Sequence, residues 1–194
     1  METDDVEFAS FVDRHKDSLI NYLRHLTRSQ ERAEEIAQDA FVRLYRNRTS
    51  VRDESAAPYL FRIGTNLVVS QIRRERRWKL LMPMFAAAQP ASEAADRRAV
   101  TNEIQSKVAA ALERLPVKLR APLVLFEMEE WPYHEIARAL DCRVGTVKSR
   151  IFRARALMRR ELESWWIGGD HDRRQTWQCD AAAAASDGVA SIHV

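Results

Sequence analysis

The sequence has 194 residues, a length that suits one ordinary domain or two small ones. Hydrophobic residues make up 46% of it and charged residues 30%, so the chain can form both a packed core and a well-solvated surface. Five glycines are fewer than a turn-rich all-β fold normally needs, and a net charge of +3 excludes a chain that is strongly basic or acidic throughout.

The location of the protein is predicted from three local features. No apolar run approaches the roughly 20 residues that span a bilayer. The first residues include Glu2, Asp4 and Asp5, whereas a secretory signal begins with basic residues. The two cysteines, Cys142 and Cys179, match no zinc-binding or redox spacing. We therefore expect a cytoplasmic protein with reduced cysteines and no membrane span, and a disulfide is the less favoured alternative.

Apolar residues recur at helical spacing in three segments of the first part of the chain. The first helix is predicted over residues 6–26. Ser29 offers an N-cap for the second helix, which should fade near residues 47–49. The polar residues 48–57 are interpreted as a loop, and Pro58 suits the first turn of a third helix.

The remaining chain contains a break in the pattern and then four more predicted helices. Residues 79–100 combine prolines with a run of alanines and are interpreted as a flexible linker, although the apolar residues 80–85 leave docking open as an alternative. One helix starts near residue 101 and ends at Pro116, and a short one follows at 119–126. The last two are predicted at 133–140 and 144–163.

These elements predict an all-α fold with two small helical domains joined by a linker. The first domain covers residues 6–78 and the second covers 101–163. Residues 164–194 form a C-terminal extension that is either disordered or contains a short alanine-rich helix at 180–186. Its tryptophans are costly to expose. One interpretation is that they anchor the last helix. The alternative is that the whole extension folds back to bury them and thereby modulates activity.

The last two predicted helices have the pattern of a helix-turn-helix, with residues 141–143 as the turn. Ala137 on the first helix is small enough to let the second cross closely, and Val147 and Ile151 pack the second helix back onto it. The other positions of the second helix carry hydroxyl groups, cations and one aromatic ring: Thr146, Lys148, Ser149, Arg150, Phe152, Arg153 and Arg155. Such a face suits base edges and phosphates in a major groove. The alternative is a solvated basic helix face, but the whole pattern favours DNA binding.

This C-terminal pattern resembles region 4 of the extracytoplasmic-function (ECF, group IV) family of bacterial RNA polymerase sigma factors. The resemblance rests on residues 145–150 and 153–155, which look like that family's promoter-reading helix. Residues 33–45 resemble region 2.2, the family's main dock for the polymerase clamp helices. Residues 59–67, followed by 72–77, resemble the stretch that melts and reads the −10 element.

The resemblance, which covers about residues 6–163, implies an alternative sigma factor that binds core RNA polymerase and directs promoter-specific transcription initiation. The implied partners are core polymerase, through its clamp helices and flap, promoter DNA and an anti-sigma factor, and no cofactor is implied. Region 4 would touch the bases of the −35 element through Lys148, Ser149, Phe152 and Arg153. It would touch the backbone of that element through Arg150 and Arg155. Region 2 would meet the polymerase through Gln38, Asp39, Arg43 and Arg46.

The −10 element would be held by the third predicted helix. Asn66, with the loop over residues 47–57, would hold a base flipped out of the stack, since an amide can donate and accept toward a base edge. Arginines nearby would hold phosphates: Arg62, Arg73, Arg74, Arg76 and Arg77. The alternatives are a surface amide at Asn66 and a solvated basic helix end. Arg143 replaces a frequent proline of the family and Ser70 a frequent aspartate, which puts the turn's rigidity and the finer −10 assignment in question.

Two other classes of function fit the sequence less well. An enzyme is disfavoured because the five histidines form no metal-ligand spacing, and because the chain has no glycine-rich phosphate loop or nucleophile motif. We accordingly expect no catalytic residue and no metal, with His15 partly buried and His134 at a helix start or on the surface. An ordinary helix-turn-helix regulator would carry a ligand, receiver or dimerisation domain, and residues 6–77 show no obvious ligand cavity.

Overall fold

The structure, a computed structural model, describes residues 2–47, 53–81 and 103–166. Within these residues it contains only α-helices, which confirms the all-α prediction. They are α1 (Glu2–Thr27), α2 (Gln30–Arg46), α3 (Asp53–Leu81), α4 (Glu103–Arg114), α5 (Val117–Glu127), α6 (Tyr133–Ala139) and α7 (Val144–Trp166). None of them is both long enough and apolar enough to cross a membrane. The interpretations of residues 82–100 and of the extension beyond Trp166 lie outside the described residues.

The junction between α1 and α2 follows its local sequence closely. Arg28 takes a left-handed backbone conformation (φ 64°), and its N–H closes α1 by donating to the carbonyl of Arg24 at 2.9 Å. Ser29 is the N-cap of α2, as predicted, and its hydroxyl accepts from the backbone N–H of Arg32 at 3.2 Å. The helix ends at Arg46 with Asn47 as its C-cap, so the prediction that it fades there is confirmed.

Helix α3 is longer at both ends than the sequence predicted, and the loop prediction for residues 48–57 was wrong over its second half. The helix already begins at Asp53, because acidic and alanine residues before Pro58 favour a helical first turn. Pro58 is buried inside the helix. At the other end the helix continues to Leu81, since no helix-breaking residue occurs before Pro83. Residues 48–52 lie outside the described residues.

Helices α1, α2 and α3 pack side by side around one apolar core. Each contributes fully or almost fully buried side chains: Leu19, Tyr22 and Leu23 from α1, Ile36, Ala40 and Leu44 from α2, and Leu60, Phe61 and Val68 from α3. Gly64 permits the close crossing of α1 and α3, because a Cβ there would lie 3.2 Å from Leu23 Cδ2. The buried hydroxyls of Tyr22 and Thr65 satisfy each other at 2.8 Å.

The second half contains the predicted helix-turn-helix, formed by α6, the turn and α7. Ile136, Val147 and Ile151 are buried between the two helices, as the sequence pattern required. Asp141 has a φ of 48° in the turn, a left-handed conformation that aspartate tolerates better than most residues. The next N–H, of Cys142, donates to the carbonyl of Ala137 at 3.0 Å and closes the turn.

The two halves pack against each other within one compact unit that extends to Leu162. The rings of Phe61 and Trp131 lie 4.6 Å apart, and the hydroxyl of Ser18 donates to the Glu129 carboxylate. The sequence contained no signal for this contact, because periodicity identifies an apolar face but not the surface that covers it.

Arg120 on α5 is the centre of that contact. Its side chain is only 3% exposed. The guanidinium donates to the carbonyls of His25 at 3.0 Å and Leu26 at 3.4 Å, and to those of Glu113 at 2.6 Å and Leu115 at 2.7 Å. One cation therefore joins the C-terminal end of α1 to the α4–α5 junction. Burial, reinforced by the nearby positive charge of Arg28, lowers the pKa of Arg120 to about 10, so the group stays charged at neutral pH.

Candidate nucleic-acid interface

The outer face of α7 is an exposed polar surface of the helix-turn-helix. Lys148, Ser149, Phe152 and Arg153 are all exposed, and they share one side of the helix because they recur at spacings of one and four residues. Phe152 leaves 75% of its surface in solvent, although a large apolar side chain on a structural helix face is normally buried. This face combines cations, a hydroxyl and one apolar group, which are the groups that contact phosphates and base edges.

Two further cations of α7 have protein partners. Arg155 contacts Glu127, with 2.7 Å between its Nη2 and Oε1 of the carboxylate, and its guanidinium lies 5.3 Å from the ring centre of Phe126. Arg150 is half-buried and its Nη1 donates to Sγ of Cys142, which is a free thiol, at 3.7 Å. Of the six residues predicted to meet the −35 element, Arg150 therefore faces the turn instead of the exposed side.

The stretch predicted to hold the −10 element is one continuous helix in the structure. An α-helix turns by about 100° per residue, so Arg62, Asn66, Arg73 and Arg77 fall within about 60° of one another around α3. Arg74 and Arg76 lie about 80° to either side of Asn66 by the same arithmetic. Asn66 and the four arginines from 73 to 77 are exposed. The helix thus carries a basic stripe that starts at Arg62 and runs toward its C-terminal end.

Arg62, at the start of this stripe, has a partner in the second half of the chain. Its Nη2 forms an ion pair with the Asp141 carboxylate in the helix-turn-helix turn. The Asp141 side chain is 68% exposed and that of Arg62 is 38% exposed, so solvent screens the pair. In this arrangement one cation of the candidate −10 surface is engaged by the element that carries the candidate −35 surface.

A cleft of about 610 Å³ opens between α2 and α3 beside Asn66. Three residues predicted to meet the polymerase, Asp39, Arg43 and Arg46, line it together with Asn66. The Arg43 and Asp39 side chains are paired at 3.0 Å. Gln38, the fourth residue of that set, is exposed on α2 outside this lining. The remaining lining residues are Asn47, Tyr59, Ile63, Leu67 and Ser70.

The residues predicted for polymerase contact and for base capture come from different predicted helices, and in the structure three of the former line this cleft together with Asn66. Of the loop predicted to share in base capture, only Asn47 lines the cleft among the described residues. Within the described part of the chain, no group of three or more histidine, cysteine or acidic residues could hold a metal ion.

Tyr133 and Phe126 lie beside the candidate DNA surface of α7, and the sequence gives no signal for this position. Their rings stack in parallel 4.9 Å apart, and Lys148 Nζ lies 5.5 Å from the ring centre of Tyr133. In the linear sequence both rings read as ordinary helix positions, because the residues that meet them are 15 and 29 positions away on α7. Only the folded helix-turn-helix brings these groups together.

Comparison with known proteins links both halves to one family. The family profile described as Sigma-70 region 2 matches residues 11–78, and that described as Sigma-70, region 4 matches residues 105–158. The solved complex of the sigma factor RpoE with the anti-sigma factor NepR from Bartonella quintana has a TM-score of 0.67 at 23% identity, covering 81% of this chain and 97% of the other. CnrH, solved with the cytosolic domain of CnrY, has a TM-score of 0.57 at 24% identity, covering 81% and 88%. These two structures show the fold.

Two curated relatives carry the family assignment further. The ECF RNA polymerase sigma factor SigW of Bacillus subtilis is 30% identical over 165 residues, which cover 80% of this chain and 88% of SigW. The ECF RNA polymerase sigma factor SigM of Mycobacterium tuberculosis is 34% identical over 158 residues, covering 80% of this chain and 76% of SigM. The resemblance found in the sequence is confirmed, and the chain belongs to the ECF family of RNA polymerase sigma factors.

Proposed function

We propose that this ECF sigma factor directs promoter-specific transcription initiation by reading the −35 element with α7, holding the −10 element along α3 and docking on core RNA polymerase through α2. The observation that carries the proposal is the exposed face of α7, where Lys148, Ser149, Phe152 and Arg153 stand together behind a helix-turn-helix turn. Arginine and lysine pair with guanine edges, serine with any base, and an apolar ring with the thymine methyl group.

The −10 element is assigned to the stripe on α3. Asn66 lines the α2–α3 cleft, which is large enough to receive an unpaired base and offers both donors and acceptors. Arg62, Arg73, Arg74, Arg76 and Arg77 then hold the phosphates of the separated strand. A sequence-tolerant row of cations fits this task, because the strand backbone is the same whatever bases it carries.

Polymerase binding is assigned to Gln38, Asp39, Arg43 and Arg46 on the exposed side of α2. Because three of these residues share the cleft with Asn66, docking on the polymerase and capture of a base are expected to influence each other. The expected contacts are the clamp helices for α2 and the flap for the second half. The domain boundaries proposed here are 6–78 and 101–163, with 79–100 as linker and 164–194 as extension.

The remaining assignments concern regulation and setting. An anti-sigma factor is proposed as a partner, and support comes from the solved neighbour RpoE, which was captured with the anti-sigma factor NepR. We assign no catalysis to the chain itself and place it in the cytoplasm, where promoters and polymerase are found. An ordinary helix-turn-helix regulator is the rival function, since it shares the helix-turn-helix but needs no polymerase.

The test is run-off transcription with core polymerase on a library of promoters. The wild-type chain should confer selective initiation, and Arg153→Gln should lower it about tenfold at promoters with its −35 element, as expected for loss of one base contact. Arg14→Gln is the matched control, because Arg14 is also exposed but lies on α1, outside the surfaces assigned to DNA and polymerase. Specific DNA binding without core polymerase, together with no selective initiation, would favour the rival regulator.

A further inference from the structure

Four side chains from three helices form a continuous row beside the DNA-facing side of α7. In order they are Lys148, Tyr133, Phe126 and Arg155. The Lys148 ammonium nitrogen lies 5.5 Å from the Tyr133 ring centre, the two rings stack at 4.9 Å with an interplanar angle of 1°, and the Arg155 guanidinium carbon lies 5.3 Å from the Phe126 ring centre. We call this set the aromatic row.

The row holds two cations of the same helix face. Lys148 and Arg155 are seven residues apart, which is two helical turns, so they point in nearly the same direction about 10.5 Å apart along the axis of α7. The faces of aromatic rings carry negative potential and attract cations within about 6 Å, so each cation lies within range of one ring. The rings come from α5 and α6, and the row therefore fixes α7 cations relative to the rest of the helix-turn-helix.

Arg155 has an additional constraint. Its Nε and Nη2 both contact Oε1 of Glu127, at 2.9 and 2.7 Å. A guanidinium has five N–H donors, and this pairing leaves those of Nη1 available to a phosphate. The carboxylate thus fixes the plane of the guanidinium while the ring supports its face.

We propose that Tyr133 and Phe126 are positioning residues for DNA binding: their stacked rings hold Lys148 and Arg155 in place before the −35 element arrives. Free lysine and arginine side chains sample many rotamers, and contact with DNA restricts them at a cost in conformational entropy. Cations already held against a ring lose less freedom on binding, so the complex is tighter without any new contact to DNA. The inference rests on the proposed function of α7.

The first test keeps the shape of residue 133 and changes only the charge distribution of its ring. Tyr133 is replaced by phenylalanine and then by phenylalanines carrying one, two and three fluorines, and the holoenzyme is titrated with a duplex from the promoter library. Fluorination weakens the negative potential of the ring face that attracts Lys148. Affinity should stay near wild type for phenylalanine and fall stepwise to about threefold weaker for the trifluorinated ring. Equal affinity across the series would overturn the proposal.

A double-mutant cycle separates this inference from the proposed function. Lys148→Gln should weaken binding about tenfold and Tyr133→Leu about threefold. Because Tyr133 acts through Lys148, the double variant should be no weaker than Lys148→Gln alone. Additive losses would mean that Tyr133 serves only the packing of α6, and the inference would fail while the function stood. No effect of Lys148→Gln would remove the proposed −35 contact itself.

At the other end of the aromatic row, the salt dependence of binding distinguishes the positioning role of Phe126 from the DNA contact of Arg155. Arg155→Gln removes a phosphate contact and should lower the slope of log affinity against log salt by about 1. Phe126→Leu should weaken binding about twofold at every salt concentration and leave the slope at its wild-type value, because the number of phosphate contacts does not change. A slope reduced by Phe126→Leu, or unchanged affinity in that variant, would contradict the positioning role.

Discussion

The two candidate DNA surfaces of this sigma factor present their cations in different ways. On α3 the arginines from 73 to 77 are exposed along the outer turns of a long helix. On α7 Lys148 and Arg155 rest against aromatic rings, and Arg155 also contacts Glu127. Intact duplex DNA has a regular shape, so cations that are already fixed in position lose little conformational entropy when they bind it. A separated strand is flexible and is better matched by cations that can change rotamer with it. The difference matches the two targets proposed for these helices.

The two halves also differ in how they are supported. Helices α1, α2 and α3 have 26, 17 and 29 residues, whereas α4, α5 and α6 have only 12, 11 and 7. Isolated helices shorter than about 12–15 residues are marginal in water, so the short ones depend on tertiary packing. Part of that packing is the contact with the end of α1, which is centred on Arg120. Packing against the first half therefore stabilises the second half.

The largest expected effect is that of Arg120→Met on stability. If this substitution had no effect, the second half would not depend on its contact with the first. The variant keeps an apolar stem but leaves four backbone carbonyls without their guanidinium, and we expect the free energy of unfolding to fall by about 3 kcal/mol. Urea denaturation measures it. Arg114→Met is the control, because the exposed pair of Arg114 with Glu161 should contribute less than about 1 kcal/mol. Equal losses in the two variants would contradict the central role of Arg120.

A second prediction sharpens the description of the α3 stripe. Arg73→Gln with Arg77→Gln should weaken binding of the holoenzyme to a single-stranded −10 probe about tenfold, since both residues share the face of Asn66 and two phosphate contacts are lost. Arg74→Gln with Arg76→Gln removes the same charge from the two flanks and should cost about threefold. Fluorescence anisotropy would measure both affinities. Identical losses would show that net charge alone matters and that the stripe has no preferred face.

A third, smaller effect is expected where the two halves meet. Asp141→Asn removes the partner charge of Arg62 but keeps a residue type that tolerates the left-handed backbone. With Arg62 released, the free chain should bind a single-stranded −10 probe about twofold more tightly, while unfolding stability changes by less than about 1 kcal/mol because the pair is exposed. The control is Arg62→Gln with Asp141→Asn, which should abolish the gain. A gain that persists in the double variant would exclude Arg62 as its cause.

The smallest expected effect is a pH dependence of stability. Burial, together with the positive charges of Arg24 and Arg120, lowers the pKa of His25 below its ordinary value. Between that lowered pKa and about 6.5 the unfolded chain binds more protons than the folded one, so stability is lost as the pH falls below about 6.5. Urea denaturation at pH 7.5 and at pH 5.5 should show the loss.

Variants assign this pH dependence to its source. His25→Gln should reduce the difference between the two pH values. Burial also lowers the pKa of His15, whose ring lies 4.4 Å from that of Phe11. The double variant His15→Gln with His25→Gln should therefore reduce the difference in stability between the two pH values further. A pH dependence that is the same in wild type and in both variants would contradict the assignment.

The sequence allowed much of the fold to be predicted, because helix periodicity and caps are local. The stripes of α1 and α2, the cap at Ser29 and the turn before α7 all depend on residues within a few positions of one another. The start of α3 was missed because Pro58 was interpreted as its first turn, although the acidic and alanine residues before it also favour helix. The partly buried state of His15 was anticipated from its position beside an apolar stripe.

The candidate site was predictable only where chemistry and position coincide on one helix. The exposed groups of α7 and the arginines of α3 belong to this class, since each set repeats along its own helix. Arg120 does not, because nothing near it in the sequence distinguishes a buried arginine from a surface one. The same is true of the α2–α3 cleft and of the aromatic row, whose members are far apart along the chain and meet only after folding.

The four acceptors of Arg120 are all main-chain oxygens, and this has a consequence for how the molecule can vary. A backbone carbonyl is present whatever side chain the residue carries. Positions 25, 26, 113 and 115 can therefore change identity without withdrawing an acceptor from the guanidinium. Arg120 therefore contributes a link between the halves that depends on its own side chain and not on the side chains of its four partners.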